Sequence, residues 1–258
     1  MKRAVLWCGA IVLAAALTVL ACFPAAWLAP MVEQQTGGRL TLGDAQGTLW
    51  RGSAFSGGAP GAGGAVTPLL PGRFAWRLSP LVLFGHVALQ LENPLALSQP
   101  IHIDGDWSQW QVSPAELMLP AAGLAGLGAP LNTLAPSGVM RLSWSTLELV
   151  REQGTVAVIG RTVLAMSDMG SRMTPVKPLG SYELAMDWHG QQAQLNLKTV
   201  RGALVLTGTG SLDRGRLQFS GQASAASGYE ETLGNLLNLL GQRRMVGGKN
   251  IIALEFKQ

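Results

Sequence analysis

The chain has 258 residues and a formal net charge of +4, with charged side chains at only 13% of the total and 33 glycines. So sparse a charge excludes a nucleic-acid footprint and the salt-bridged faces of a helical bundle. The length suffices for one large β domain or two small ones, with enough apolar material for a core that needs no disulfide.

The first element is the most informative. Lys2 and Arg3 precede an uncharged run over residues 4–32, and Glu33 is the next charge. At ~1.5 Å per residue, residues 4–28 make a helix of roughly 37 Å, enough to cross a ~30 Å hydrocarbon core with some tilt. Two cations before the run and none just after it place the N-terminus in the cytoplasm. Lys2 and Arg3 are therefore the topology determinants: residues 1–3 are expected to be cytoplasmic, 4–29 a transmembrane anchor and 30–258 an extracytoplasmic β-rich domain.

Two other readings of this run compete. A cleaved signal peptide needs an apolar core of only ~7–15 residues and a small-x-small site. Here the run passes well beyond Ala14-Ala15-Ala16, and cleavage after Ala26 would leave Pro24 just upstream. Val19-Leu20-Ala21-Cys22 imitates a lipoprotein acylation site, although Leu20 suits it poorly. The uncleaved anchor is preferred, with Trp27 as an interfacial aromatic and Pro30 as a helix stop. Both cysteines, Cys8 and Cys22, lie in the run, so the exported part holds no disulfide and no cysteine metal site.

Residues 33–42 read as a connector. Gly47-Thr48-Leu49-Trp50-Arg51-Gly52 reads as a tight turn between two short strands, and the Gly/Ala/Pro-rich residues 53–68 as a loop. After Pro71-Gly72, Phe74, Trp76 and Leu78 alternate, residues 81–91 continue as a strand broken at Gly85, and residues 101–107 alternate again. Connections this short suit an antiparallel meander. Ser113-Pro114-Ala115-Glu116 has the spacing of a helix N-terminus, weakened downstream by Pro120 and by glycines at 123, 126 and 128. Residues 136–144 then echo residues 71–76, which raises a distant duplication of blocks near 70–110 and 136–165.

The last third has the clearest strand signal. Tyr182, Leu184, Met186 and Trp188 alternate, His189-Gly190 turns, and Ala193, Leu195 and Leu197 alternate in reply. Ser227-Gly228-Tyr229-Glu230 is a second capping box. It opens a helix with the stripe Leu233, Leu236, Leu237 and Leu240, closed by Gly241. Arg243-Arg244 and Lys249 are expected in a solvated loop and residues 251–256 in a final strand. The fold class is thus mainly β, with one transmembrane helix and two short helices.

Reactive chemistry finds little support. His86, His102 and His189 have no metal-ligand spacing. His102, Asp104 and Asp106 would share a strand face, but opposite Ile101 and Ile103 that is the pattern of a solvated outer face. Gly208-Thr209-Gly210 is a fragment of a phosphate loop between predicted strands. Trp50, Trp76, Trp144 and Trp188 fall at apolar-face positions and read as core. No catalytic, cofactor-binding or metal-binding residue emerges, and no enzyme activity is expected.

The order of these segments resembles a known family. The N-terminal anchor, Gly47 to Gly52, Leu70-Pro71-Gly72 with Trp76, Pro178-Leu179-Gly180-Ser181-Tyr182, residues 202–210 and Leu239-Leu240-Gly241-Gln242-Arg243 are similar to protein N of the type II (general) secretion pathway. The resemblance implies a single-span inner-membrane protein with a periplasmic β-rich domain. It would serve as an accessory scaffold, without cofactor or catalysis, for export of folded proteins across the outer membrane. Its implied partners are the inner-membrane platform and the components that connect to the secretin. The alternative is a membrane-anchored lipid-binding or lipid-transfer β protein of the envelope, holding acyl chains in an apolar groove.

Overall fold

Period-two alternation dominates the chain, and the computed structural model turns it into one extended antiparallel sheet. It describes residues 7, 11, 14–15, 18–38, 40–58, 67–121, 135–152, 154–246 and 249–257. Strands β1 (Leu40–Gly47), β2 (Arg51–Gly58), β3 (Thr67–Leu78), β4 (His86–Glu92), β5 (Ile101–Asp106) and β6 (Gln109–Val112) form a first meander. Strands β7 (Ala115–Pro120) and β8 (Ser137–Trp144) leave this path, and β6 pairs instead with β9 (Leu147–Glu152). From β10 (Thr155–Gly170) a second meander runs through β11 (Gly180–Gly190), β12 (Gln192–Gly202), β13 (Leu204–Asp213) and β14 (Arg216–Ala225). Its last neighbours are β16 (Lys249–Lys257) and then β15 (Gln242–Val246).

The two meanders join at a fork in β10. Residues 155–159 of this strand pair with β9, and residues 162–170 pair with β8. Between them Gly160 has φ +138°, and a Cβ there would lie 2.6 Å from Leu147 Cδ2, so glycine is needed where the neighbour changes. The β7–β8 prong folds over the apolar face of the first meander. Leu97, Ala115 and Trp144 meet Phe74, Ile101 and Leu149 there.

In the second meander the register puts Leu184 opposite Leu197, Met186 opposite Leu195 and Trp188 opposite Ala193, as their alternation demands. The opposite face carries cross-strand ion pairs, Lys198–Glu183 at 2.8 Å and Arg161–Asp187 at 3.7 Å. The helix expected at the end of the chain is present. Helix α2, residues Glu230–Leu240, buries Leu233, Leu236 and Leu237 against Leu204, Ala223 and Ile252. The expected box is not formed: the N-cap is Tyr229, without a side-chain cap bond, and Glu230 Oε2 accepts the Gly228 N–H at 2.8 Å. Burying each such leucine contributes about 1.5–3 kcal/mol.

Several expectations need correction. Residues 18–21 are helical, but the helix ends there: Cys22 turns, Pro24 bridges to Thr48, and Ala25–Trp27 form a 3-10 turn. Helix α1 (Leu28–Gln35) follows, so the residues taken as connector belong to α1 and β1. Pro30 stops nothing, because in a first turn its missing N–H removes no helix bond. Among the described residues no helix is long and apolar enough to cross a membrane. Lys2, Arg3 and most of residues 4–17 lie outside the described residues.

The loop expected over 53–68 is largely β2 and the start of β3, with residues 59–66 outside the described residues. Residues 80–84 form a 3-10 turn, capped by Ser79 Oγ accepting from the Leu81 N–H, rather than a strand. Ser113-Pro114-Ala115-Glu116 opens β7, not a helix: Ala115 is buried and Glu116 exposed, so alternation and the partner strand β8 override the capping spacing. The glycines at 123, 126 and 128 lie outside the described residues. Arg243 and Arg244 stand on β15 and Lys249 opens β16, so that cluster belongs to a hairpin.

Candidate functional site: a tryptophan-clamped hairpin and the sheet edges

His102, Asp104 and Asp106 share the exposed face of β5. His102 and Asp104 point outward from β5, opposite buried Ile101. Asp106 closes the β5–β6 turn, its Oδ1 accepting from the Ser108 hydroxyl and N–H and from the Gln109 N–H at 2.9 Å. These bonds, the Ser108 hydroxyl foremost, hold its carboxyl below the usual range. Among the described residues no group of three or more His, Cys, Asp or Glu is placed to hold a metal. Gly208 and Gly210 lie inside β13, where a Cβ on either would strike the Phe219 ring, so they pack rather than cradle a phosphate.

The sequence motif around Trp50 has a specific structural task. Between β1 and β2 the chain turns at Thr48, Leu49 and Trp50. Gly47 has φ +87°, with no room for a Cβ 2.4 Å from the Arg51 carbonyl. The Trp50 indole N–H donates to the Leu20 carbonyl at 2.8 Å, the end of the N-terminal helical segment. Beside it the Leu49 N–H donates to the Phe23 carbonyl at 2.8 Å, and Pro24 bridges Thr48. From the other side the Trp76 indole donates to the Leu49 carbonyl at 3.0 Å, its ring filling the space that a Cβ on Gly52 would occupy. A helix end leaves carbonyls without partners, and this hairpin supplies one donor to them. The sheet is thereby fixed to the N-terminal segment.

Trp76, Trp144 and Trp188 pack on the apolar face as read, each indole N–H satisfied, the last two by the Ser113 carbonyl and the Thr162 hydroxyl. Trp50 is the exception. It sits in the turn rather than on a strand, and alternation alone could not distinguish it. Its place beside Gly47 and Gly52, where two strands must reverse, was the available signal.

The sheet ends at β1 on one side and β15 on the other. The β1 edge is irregular. Its register shifts between Gly43 and Gln46, Asp44 has φ +48°, and Arg73 reaches from β3 to the Asp44 carboxylate and carbonyl. Arg73 also lies over the Phe55 ring at 4.6 Å. The Arg73 hydrogen bond, then that of Gln46, lowers the Asp44 carboxyl below its usual range. Such a bulge breaks the row of unpaired backbone groups and protects an edge. Strand β15 has five residues and no bulge against β16, which leaves it the more regular edge.

A groove of about 610 Å³ runs over the outer face of β12–β14 and β16. Asn196, Lys198, Thr207, Thr209, Ser220 and Gln222 line it together with Leu197 and Ala253, so it is open and its walls are mixed in character. The apolar face of β13, β14 and β16 is occupied by α2. Neither surface is the apolar trough that an acyl chain needs.

Comparison with known proteins gives one match. A family model described as Type II secretion system (T2SS), protein N, covers residues 38–251, nearly the whole sheet. No curated protein and no solved structure matches the chain significantly.

Proposed function

The chain belongs to the type II secretion system protein N family, and on that premise we propose that it is an accessory, non-catalytic scaffold of this machine in the inner membrane. The family ties it to type II secretion and to other components of that system. In our reading the N-terminal run is a single-pass anchor with Lys2 and Arg3 on the cytoplasmic side, and the sheet stands in the periplasm. The observation that supports a scaffold is the clamp: Trp50 bonded to Leu20, with Leu49 bonded to Phe23, couples the sheet directly to the end of the anchor segment. A sheet tethered this way holds a fixed orientation above the bilayer, as a platform contact requires.

The contact mode we infer is strand addition at the β15 edge by an extended segment of a platform or secretin-connecting component. Proline substituted singly at Arg244 and Met245 tests it, since successive residues of an antiparallel strand alternate in facing the partner or the open edge. One of the two variants should keep the β15–β16 pairing and lose partner recovery in a pull-down. Undiminished recovery with both variants counts against strand addition. The role itself is tested by deleting the gene and measuring export of large extracellular enzymes alongside outer-membrane lipid composition. Export should fall with lipids unchanged; altered lipids with intact export would overturn the scaffold reading in favour of lipid transfer.

A further inference from the structure

The end of the first meander that meets the anchor segment also carries most of its bare apolar surface. The β3–β4 turn exposes Leu81 by 52%, Leu83 by 46% and Phe84 by 85%. Trp107, in the β5–β6 turn, is 57% exposed and donates its indole N–H to the Val82 carbonyl at 2.7 Å, which joins the two turns. Trp27 is 62% exposed on the far side of the clamp, stacked edge-on against Phe23. Hydrogen bonds place these groups at one end: Trp50 donates to Leu20, and the Trp50 carbonyl accepts from Leu78, the residue before the Ser79 cap. Large apolar side chains displayed together at a turn are a contact surface, because burying them elsewhere was available to a chain with this much sheet.

A second, independent feature lies one rung above this end. Arg51 and Arg77 stand directly opposite each other on β2 and β3, both exposed, and neither has an ion-pair partner among the described residues. Like charges facing across strands destabilise a sheet unless an anion sits between them. They line a hollow of about 320 Å³ with Gln90 and Glu92. The Gln90 amide donates to Glu92 Oε1 at 2.8 Å, and with two arginines against that one carboxylate the hollow is net positive.

We propose that this end is an interfacial foot: the Pro80–Phe84 turn with Trp107 and Trp27 enters the headgroup region of the bilayer beside the anchor, and Arg51 with Arg77 binds the phosphates of anionic lipids. The occupant is a lipid surface rather than a protein because the patch lies at the end of the sheet that is hydrogen-bonded to the uncharged N-terminal segment at Leu20, next to exposed Val19. The combination of aromatic rings at the level of the headgroups and cations just above is the pattern of an interfacial anchor. A foot and an anchor helix together fix both the tilt and the rotation of the sheet, which one helix alone leaves free.

The inference rests on the anchor reading, and the test separates the two. Full-length protein with Cys8→Ala and Cys22→Ala is given one cysteine at a time, by Phe84→Cys, Val19→Cys or Met173→Cys, and labelled with an environment-sensitive fluorophore. Met173 is exposed in the turn at the opposite end of the sheet. Each protein is reconstituted in phosphatidylethanolamine–phosphatidylglycerol bilayers containing nitroxide lipids. The labels at 19 and 84 should be blue-shifted and quenched several-fold more than the label at 173. Quenching at 19 with the label at 84 behaving like that at 173 overturns the foot and leaves the anchor standing. Absence of quenching at 19 overturns the anchor and the foot with it. A label at 84 that is blue-shifted but unquenched by lipid means that protein covers the turn, which also overturns the proposal. Arg51→Gln with Arg77→Gln should reduce quenching at 84 in anionic bilayers and change nothing in phosphatidylcholine; equal quenching of the parent in both bilayers removes the arginines from the interaction.

Discussion

The two limbs of this sheet share one alternation and close it differently. The C-terminal limb, β11 to β16, covers the apolar face of β13, β14 and β16 with a helix from its own chain, and Leu233 and Leu236 of α2 are fully buried there. The N-terminal limb, β1 to β6, is covered by the β7–β8 prong, stitched by indole bonds to main-chain carbonyls, and left bare at the turn on the end bonded to the N-terminal segment. A helix lid maximises buried area per residue, so stability should concentrate in the C-terminal limb. The N-terminal limb gives up that burial in order to attach.

The sharpest test of this division is a pair of leucine substitutions. Leu233→Ala or Leu236→Ala should lower unfolding stability by about 2–5 kcal/mol in urea titration of the full chain in detergent. Phe84→Ala, at a side chain 85% exposed, should stay within about 0.5 kcal/mol of the parent. Comparable losses at both ends would abolish the contrast between the limbs.

Next in size is Trp76→Phe, which keeps most of the ring and removes the N–H that satisfies the Leu49 carbonyl. The expected loss is about 1–2 kcal/mol. It should appear first as faster proteolysis near residues 47–52, with α2 still protected. If cleavage instead begins in α2, the clamp is not what holds the first limb.

How much of this was legible in the chain follows from which signals were local. The strands Tyr182–Trp188 and Ala193–Leu197 and the leucine stripe of α2 were readable because side-chain period alone specifies them. Ser113-Pro114-Ala115-Glu116 misled because a capping spacing is only four residues of evidence, while Ala115 and Leu117 alternate into a core formed with distant Trp144. The break at Cys22–Pro24 had a local signal, since Pro24 has no N–H to bond the Leu20 carbonyl four residues back; what stayed hidden is the Trp50 indole, 30 residues away, that takes its place. The fork at β10 depends on which neighbour each half of one strand finds, and nothing in a single strand's alternation records that. Of the candidate site, the motif Gly47–Gly52 was visible as a turn, but its partner Leu20 was not.

A smaller effect probes the inside of the C-terminal limb. The Tyr182 hydroxyl, buried, donates to the Leu204 carbonyl at 3.0 Å. Tyr182→Phe should lose about 1 kcal/mol. Burial raises the phenol above its ordinary value in the folded chain. This contribution is therefore complete below the unfolded value of about 10 and is lost as pH climbs above it, because only the unfolded phenol then ionises. Tyr182→Phe should lack that alkaline decline; if both proteins decline alike, another group is responsible.

The smallest effect belongs to the edge of the first limb, at Asp44. Its left-handed backbone is one that Asp and Asn both tolerate, so Asp44→Asn keeps the bulge and removes only the charge facing Arg73. The folded carboxyl titrates below its ordinary value, chiefly through the Arg73 hydrogen bond. Whatever stability the pair gives is therefore present above the unfolded carboxyl range and disappears as pH falls through the folded value. Because both groups reach solvent, the global change should be slight and screened by salt. The better measurement is the NMR titration of Asp44 itself. A midpoint at or above that of an ordinary aspartate would mean that Arg73 does not hold the bulge, and that the first limb presents β1 as a second open edge rather than a closed one.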